Sequence, residues 1–173
     1  MIISKPRVGE YGEFAQKYID NLPNDINLIE HLINNLNDLV ALIEPLSEEK
    51  LNYRYDTNKW TIKEILGHII DGERVFCYRA LAYARGDKAV LPGFNENIYA
   101  EHSNVNSRDI TDIIDELKSV RLATISLFKS FKLEYFEIVG NMVENQLSVS
   151  ALAFIILGHC MHHMKIITER YLN

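Results

Sequence analysis

Apolar residues recur with a helical period in four long segments of the chain. In residues 24–43, for example, Ile29, Leu32, Leu36 and Val40 follow one another at steps of three or four residues, which places them on one face of a helix. The other segments are residues 61–83, 107–128 and 148–171. Because amphipathic helices of this length can bury their apolar faces only against one another, the sequence predicts an all-α four-helix bundle.

Local signals indicate where the second helix begins and how it is connected to the third. Thr61 and Glu64 have the spacing of a capping box, so the second helix should begin at Thr61. Residues 87–106 form a long connection, and connections of this length are usually functional or contain a small element of their own. We expect one short helix in residues 94–101, and we expect the connection to form one wall of a pocket.

Length and composition describe an ordinary globular chain. The sequence has 173 residues, a formal net charge of -6 and 47% hydrophobic residues, which fits a single domain with residues 1–23 as an N-terminal extension packing on it. An acidic balance without a Lys/Arg cluster argues against a nucleic-acid partner. No segment has the continuous apolar length of a membrane span, and the N-terminus lacks the apolar core of a signal peptide. We therefore expect a cytoplasmic protein without a nucleic-acid or membrane partner.

Two histidines of the fourth segment lie one helical turn apart. His159 and His163 fall near the centre of its apolar face, and imidazoles at positions i and i+4 can bind a single ion. Two core histidines satisfied by hydrogen bonds are the alternative, and the spacing alone does not separate the two interpretations. His162 lies off this face and is interpreted as a solvated or supporting residue. Cys160 is adjacent in phase to His159, but a single cysteine on an apolar face is more often a core residue.

A third histidine, His68, lies at the edge of the apolar face of the second helix. This position suits a residue that reaches toward one end of the bundle interior, and it also suits a half-buried structural histidine. No Glu precedes a histidine by three residues, so the Glu-x-x-His pairs of di-iron bundles are absent. A site with only histidine ligands favours one divalent ion, such as zinc or nickel.

Three charged residues fall within apolar helix faces. Glu73 lies near the centre of the second helix face, Arg121 within the third, and Arg170 near the end of the fourth. Charges at such positions are rare unless they are paired or functional. One interpretation is a structural ion pair of Glu73 with Arg121 or Arg170. The other is that these are substrate-binding residues, with an arginine that holds a substrate carboxylate.

The order and spacing of several sequence blocks resemble the DinB/YfiT-like superfamily. The segment at residues 59–74, KWTIKEILGHIIDGER, resembles the second helix of that superfamily. The resemblance covers nearly the whole chain from about residue 24. Its other blocks are residues 78–80 and 84–87, LPGF at residues 91–94, Arg121 with Thr124, GHCMHH at residues 158–163, and ERYL at residues 169–172.

The resemblance implies a bundle of the DinB/YfiT type that holds one divalent metal ion per chain through three histidines. The ligand from the second helix would be His68, and the ligands from the fourth would be His159 and His163. Members of the superfamily are described as metal-dependent hydrolases, and some as thiol S-transferases or isomerases that use a low-molecular-weight thiol. Homodimers are common among them. The resemblance therefore also implies a homodimer, with a low-molecular-weight thiol as a candidate cosubstrate.

Three neutral imidazoles leave a coordination position open, as in catalytic zinc sites. The leading hypothesis is an enzyme in which the metal activates water or a thiol toward a small-molecule substrate. No general base is identified, because Asp71 and Glu73 are both equivocal. A second hypothesis is a metal-binding, stress-related or interaction module without turnover. A third is a bundle whose histidines are ordinary core residues.

Overall fold

Seven helices make up most of the molecule, which a computed structural model describes over residues 1–143 and 145–172. In chain order they are α1 (Glu13–Ile19), α2 (Leu28–Ile43), α3 (Glu48–Leu51), α4 (Ile62–Ala84), α5 (Glu96–His102), α6 (Ile110–Lys129) and α7 (Val149–Ile166), and a π-helical turn at Ile167–Tyr171 follows α7. The long helices α2 and α4 each pack on both α6 and α7. The fold is an all-α four-helix bundle, as the apolar periodicity predicts.

Two small antiparallel strand pairs accompany the helices. The strands are β1 (Ile2–Ser4), β2 (Asp25–Asn27), β3 (Val139–Asn141) and β4 (Gln146–Ser148). Ile3 lies opposite Ile26 in the first pair, and Gly140 lies opposite Leu147 in the second. Strands of three residues are too short to show a period of two, so the sequence does not predict them. Because β2 occupies the residues before it, the first long helix begins at Leu28 rather than at residue 24.

The predicted start of α4 and the short helix in the long connection are both present. The Thr61 hydroxyl accepts a hydrogen bond from the backbone N–H of Glu64 at 3.0 Å. The Glu64 carboxylate accepts one from the backbone N–H of Thr61 at 2.7 Å, which completes the capping box. In the connection, α5 lies close to the expected position, and the Asn95 side chain accepts hydrogen bonds from two backbone N–H groups of its first turn.

The central helix α7 is buried on every side from Val149 to Cys160. The sequence predicts only a one-sided apolar face for this segment. The difference arises because residues 1–23 contribute α1, which packs against α7. Gly158 permits the close approach of the two helices, since a Cβ built there would lie 2.1 Å from the backbone oxygen of Tyr18.

The same central helix has the length and apolarity of a membrane-spanning segment. The most apolar window of Val149–Tyr171 has a mean hydropathy of 1.3, and 67% of that window is buried inside the bundle. An enclosed core helix needs this composition, so the burial of α7 accounts for its apolarity.

Replacing Gly158 with Ala should destabilise the protein, although Ala is normally the better helix former. The new Cβ would overlap the backbone at Tyr18, and overpacking of this kind costs about 1 to 3 kcal/mol. We expect the free energy of unfolding, measured by urea denaturation, to fall by about that amount. Gly93→Ala is the control, because no atom lies within 4 Å of a Cβ built at Gly93. Equal stability of the two variants would contradict the close contact between α1 and α7.

Candidate metal centre

Three histidine side chains converge between α4 and α7. His68 belongs to α4, whereas His159 and His163 lie one turn apart on α7. His159 and His163 are buried and His68 is half-buried. Their ligand atoms all lie within 4.8 Å of one another, and among the described residues this is the one group of three that could hold a metal ion. The structure therefore brings together the three residues that sequence analysis selected.

The Nε2 atoms of these rings are spaced like ligands around one ion. The Nε2 atom of His159 lies 2.8 Å from that of His68 and 3.1 Å from that of His163. Two imidazole nitrogens bound at about 2.0 to 2.1 Å to a tetrahedral zinc ion would be about 3.4 Å apart. Shifts of a few tenths of an ångström would bring each of these two pairs to that separation.

Hydrogen bonds among the three rings cannot provide a good partner for every Nε2 atom. The Nε2 atom of a neutral imidazole offers either one N–H or one lone pair. The Nε2 atom of His159 faces two other Nε2 atoms, so it can pair well with only one of them. A cation at the centre would instead take a lone pair from each ring. The donor set therefore fits a divalent ion better than it fits three core histidines.

Burial keeps the three imidazoles neutral. It lowers the pKa of His68 to about 4 and the pKa of His163 to about 3, and it lowers the pKa of His159 well below its ordinary value. Neighbouring imidazoles lower the pKa values of His159 and His163 further, because adjacent positive charges repel each other. The negative charge of the Glu96 carboxylate partly offsets the effect of burial on His68, because it acts to raise the pKa of that imidazole. Since only a neutral imidazole can bind a metal, all three ligands are available at neutral pH.

Aromatic rings surround the three histidines. The ring centroid of Trp60 lies 4.8 Å from that of His68. The ring centroids of Tyr18 and Phe76 lie 5.4 Å and 5.9 Å from that of His159. Because Tyr18 belongs to α1, residues before the first long helix form part of the wall of the site.

A cavity of about 250 Å³ lies beside His163. Asn97 of α5 lines this cavity, so the long connection contributes to its wall as predicted. Asn97 also lines a second cavity of about 520 Å³, together with Phe94 and Glu96. The other residues around the first cavity are Tyr55, Asn58, Lys59, Trp60, Ile65, Ile166 and Tyr171.

A sequence comparison identifies the family, and a fold comparison finds a similar bundle. A sequence model of the DinB superfamily matches residues 31–167. The chain belongs to the DinB superfamily. A similar fold occurs in the solved structure of YfiT from Bacillus subtilis, with a TM-score of 0.76 and 17% sequence identity over 95% of this chain and 90% of that chain. YfiT is described as a probable metal-dependent hydrolase with an unusual four-helix bundle topology. A comparison with curated protein sequences finds no significant match.

In this DinB-superfamily chain, Glu73 and Arg121 form a buried ion pair. The Arg121 guanidinium donates from Nε at 2.8 Å and from Nη2 at 2.9 Å to the Glu73 carboxylate. Its Nη1 donates to the Leu32 carbonyl oxygen and the Asn35 side-chain oxygen. Burial acts to lower the pKa of Arg121, but the Glu73 carboxylate outweighs burial and raises it. Because all three guanidinium nitrogens are engaged, the geometry supports the ion-pair interpretation rather than a substrate-binding one.

Arg170 is exposed, so the prediction that it falls within the apolar face of the fourth helix is wrong. The π-helical turn at Ile167–Tyr171 has more residues per turn than an α-helix, which changes the direction of each later side chain. As a result, Ile167 and Tyr171 are the residues buried in this turn. A role for Arg170 in binding a substrate anion stays a prediction.

Cys160 and His162 lie outside the group of three ligands. Burial raises the pKa of the Cys160 thiol to about 11, although the neighbouring Arg121 acts to lower it, so the thiol is protonated at neutral pH. This environment supports the interpretation of Cys160 as a core residue. His162 is half-buried, and its ring centroid lies 5.3 Å from that of His163 and 5.5 Å from that of Tyr18. These contacts fit a supporting residue.

No sequence pattern marks Glu96, Tyr55 or Tyr171 as a site residue. The Asn95 cap signals the helix that carries Glu96, but no local pattern indicates that this helix packs near His68. Tyr55 and Tyr171 are far apart in the sequence, and only the tertiary fold brings them to one cavity.

Replacing His163 with Ala should abolish metal binding, whereas His162→Ala should leave metal content nearly unchanged. The first change removes one of the converging Nε2 atoms, and the second removes a ring outside that group. We expect about one ion per chain in protein purified without an affinity tag and loaded with Zn²⁺ or Ni²⁺, measured by mass spectrometry of the metal. Quenching by Ni²⁺ gives a second measurement, since the only tryptophan lies beside His68. The reverse result for the two variants would show that the ligand assignment is wrong.

Metal affinity should change little between about pH 7 and about pH 5.5. Protons compete with a metal for imidazole nitrogens, but the lowered pKa values of His68, His159 and His163 move this competition to more acidic solution. Three exposed histidines of ordinary pKa would lose affinity by roughly several hundredfold over the same range. The measurement is a Ni²⁺ titration at each pH, followed by Trp60 emission. A loss of more than about tenfold would indicate ligands with ordinary pKa values.

Proposed function

We propose that this protein is a metal-dependent enzyme in which one divalent ion activates water or a thiol toward a small-molecule substrate. The observation that carries the proposal is the convergence of His68, His159 and His163 beside a cavity. Three protein nitrogens leave a coordination position for water or substrate, which is typical of catalytic rather than structural zinc sites. The description of YfiT as a probable metal-dependent hydrolase is consistent with this proposal.

In this proposal the chain's own residues hold the ion and exclude solvent from it. The three imidazoles would bind the ion through Nε2, and zinc or nickel suits a donor set of this kind. When bound, such an ion lowers the pKa of a coordinated water or thiol toward neutrality. The rings of Trp60, Phe76 and Tyr18 pack against the ligands and restrict solvent on their sides of the site.

Glu96 is the proposed proton acceptor. Burial lowers the pKa of His68, and the negative charge of Glu96 partly opposes that effect, so its charge acts at the site. It is exposed, and it lines a cavity that shares Asn97 with the cavity beside His163. Glu73, equivocal from the sequence, is engaged instead by Arg121 and by the Thr124 hydroxyl at 2.6 Å. In this proposal a carboxylate oxygen of Glu96 would accept the proton that the water or thiol gives up.

The superfamily resemblance and the composition of the chain lead to further proposals about the setting of this reaction. We propose a homodimer in the cytoplasm, no nucleic-acid or membrane partner, and a low-molecular-weight thiol as the cosubstrate if the reaction is a transfer. Sedimentation of the purified chain tests the dimer. A requirement for added thiol separates a transferase from a hydrolase.

The enzymatic proposal is tested by an activity screen of the metal-loaded protein with and without a chelator. The substrates are small esters and amides for hydrolysis, and small electrophiles with added thiols for transfer. We expect turnover that disappears on chelation and returns when Zn²⁺ or Ni²⁺ is restored. Full metal content without turnover on any of these substrates would favour the metal-binding module without catalysis.

Replacing Glu96 with Gln should lower kcat by about a hundredfold or more without changing metal content, because a proton acceptor is lost. Glu101→Gln is the matched control, since Glu101 lies on the same short helix but lines neither cavity. We expect the control to keep full turnover. Normal kcat in Glu96→Gln would remove Glu96 from the mechanism while leaving the metal centre in place.

A further inference from the structure

We propose that the cavity beside His163 binds a flat aromatic group of an uncharged or anionic substrate, with the ring against Tyr55, Trp60 and Tyr171 and the reacting group toward the three histidines. This assignment of a substrate class rests on the proposed function. It concerns the cavity of about 250 Å³ rather than the metal ligands themselves.

The aromatic wall comes from two distant parts of the chain and is held in place by hydrogen bonds. Tyr55 and Trp60 precede α4, whereas Tyr171 belongs to the π-helical turn after α7. The Tyr171 hydroxyl donates to the carbonyl oxygen of Trp60, and the Lys50 ammonium donates to the carbonyl oxygen of Tyr171 at 2.8 Å. A wall fixed before binding costs less entropy when a ligand enters.

The rings already contact one another in the geometry that aromatic groups prefer. The planes of Tyr55 and Tyr171 meet at 89°, with ring centroids 5.0 Å apart. A ligand ring can extend this edge-to-face packing, and an aliphatic group of similar size cannot. Ile65 and Ile166 add aliphatic surface to the same cavity.

The volume of the cavity limits the size of the group. An apolar cavity of about 150 Å³ is large enough to bind benzene. A cavity of about 250 Å³ therefore has room inside it for one aromatic ring with small substituents.

Lys59 is the one side chain of fixed charge that lines this cavity in the described part of the chain. The uncharged polar groups of the lining residues are the amides of Asn58 and Asn97, the imidazole of His163, the hydroxyls of Tyr55 and Tyr171, and the indole N–H of Trp60. No carboxylate of the described residues lines the cavity, and the Lys59 ammonium there would repel a cationic substrate group. The substrate group is therefore uncharged or anionic.

Contacts between the cavity walls and the ligands place the reacting atom close to the ring. The ring centroid of Trp60 lies 4.8 Å from that of His68, and His163 itself lines the cavity. A carbonyl or other electrophilic group attached directly to an aromatic ring in the cavity would reach the metal centre.

The test compares two hydroxamic acids on the zinc-loaded full chain by calorimetry. Benzohydroxamic acid and acetohydroxamic acid carry the same metal-binding group, and only the first carries an aromatic ring. We expect the aromatic compound to bind at least about tenfold more tightly. In Tyr55→Ala the difference should fall to about threefold or less, with the affinity for acetohydroxamic acid and the zinc content unchanged.

Tyr53→Ala is the matched control. The Tyr53 ring contacts Tyr171 with centroids 6.3 Å apart, but Tyr53 does not line the cavity, so this variant should keep the preference for the aromatic compound. Equal affinities of the two hydroxamic acids for the zinc-loaded wild-type chain would overturn the substrate assignment alone. Failure of the chain to bind zinc would overturn the proposed function and this assignment together. A 4-(aminomethyl) derivative of benzohydroxamic acid that bound more tightly than the parent compound would overturn the charge preference.

Discussion

Because α7 is enclosed on every side over most of its length, each polar group on it must find a partner inside the protein. Ser148 does so by capping the first turn, where its hydroxyl accepts a hydrogen bond from the backbone N–H of Ala151 at 2.9 Å. His159 and His163 are instead directed at each other and at His68. A divalent cation matches this set of neutral nitrogens better than any side chain of the described residues around it. The enclosure of α7 by the other helices thus explains why its histidines are buried and why they need a partner inside the protein.

A second buried group fixes how the other helices sit around α7. Arg121 of α6 joins the Glu73 carboxylate of α4 to the Leu32 carbonyl oxygen and the Asn35 side chain of α2. Removing one partner of such a pair leaves a buried charge without compensation, which costs about 3 to 5 kcal/mol. Because Glu73 lies little more than one turn after His68 on α4, the ion pair also fixes the part of α4 that carries His68 relative to α2 and α6.

The features that follow from local sequence could be predicted. Helical periodicity gave the four long helices, the capping box marked the start of α4, and the i, i+4 spacing put His159 and His163 on one face. Periodicity placed His68 only at the edge of its face, and the family resemblance supplied its role as a ligand. The covering of α7 by α1, the outward position of Arg170 and the meeting of Tyr55 with Tyr171 depend on tertiary packing. No local spacing in the sequence encodes those contacts.

The segment that covers α7 precedes the part of the chain that the superfamily model matches. That model begins at residue 31, whereas α1 lies at Glu13–Ile19 and carries Tyr18, whose ring packs against His159. A residue outside the matched segment therefore shapes the immediate surroundings of His159. A change in the N-terminal segment can alter the environment of the three histidines while the helices that carry them stay the same.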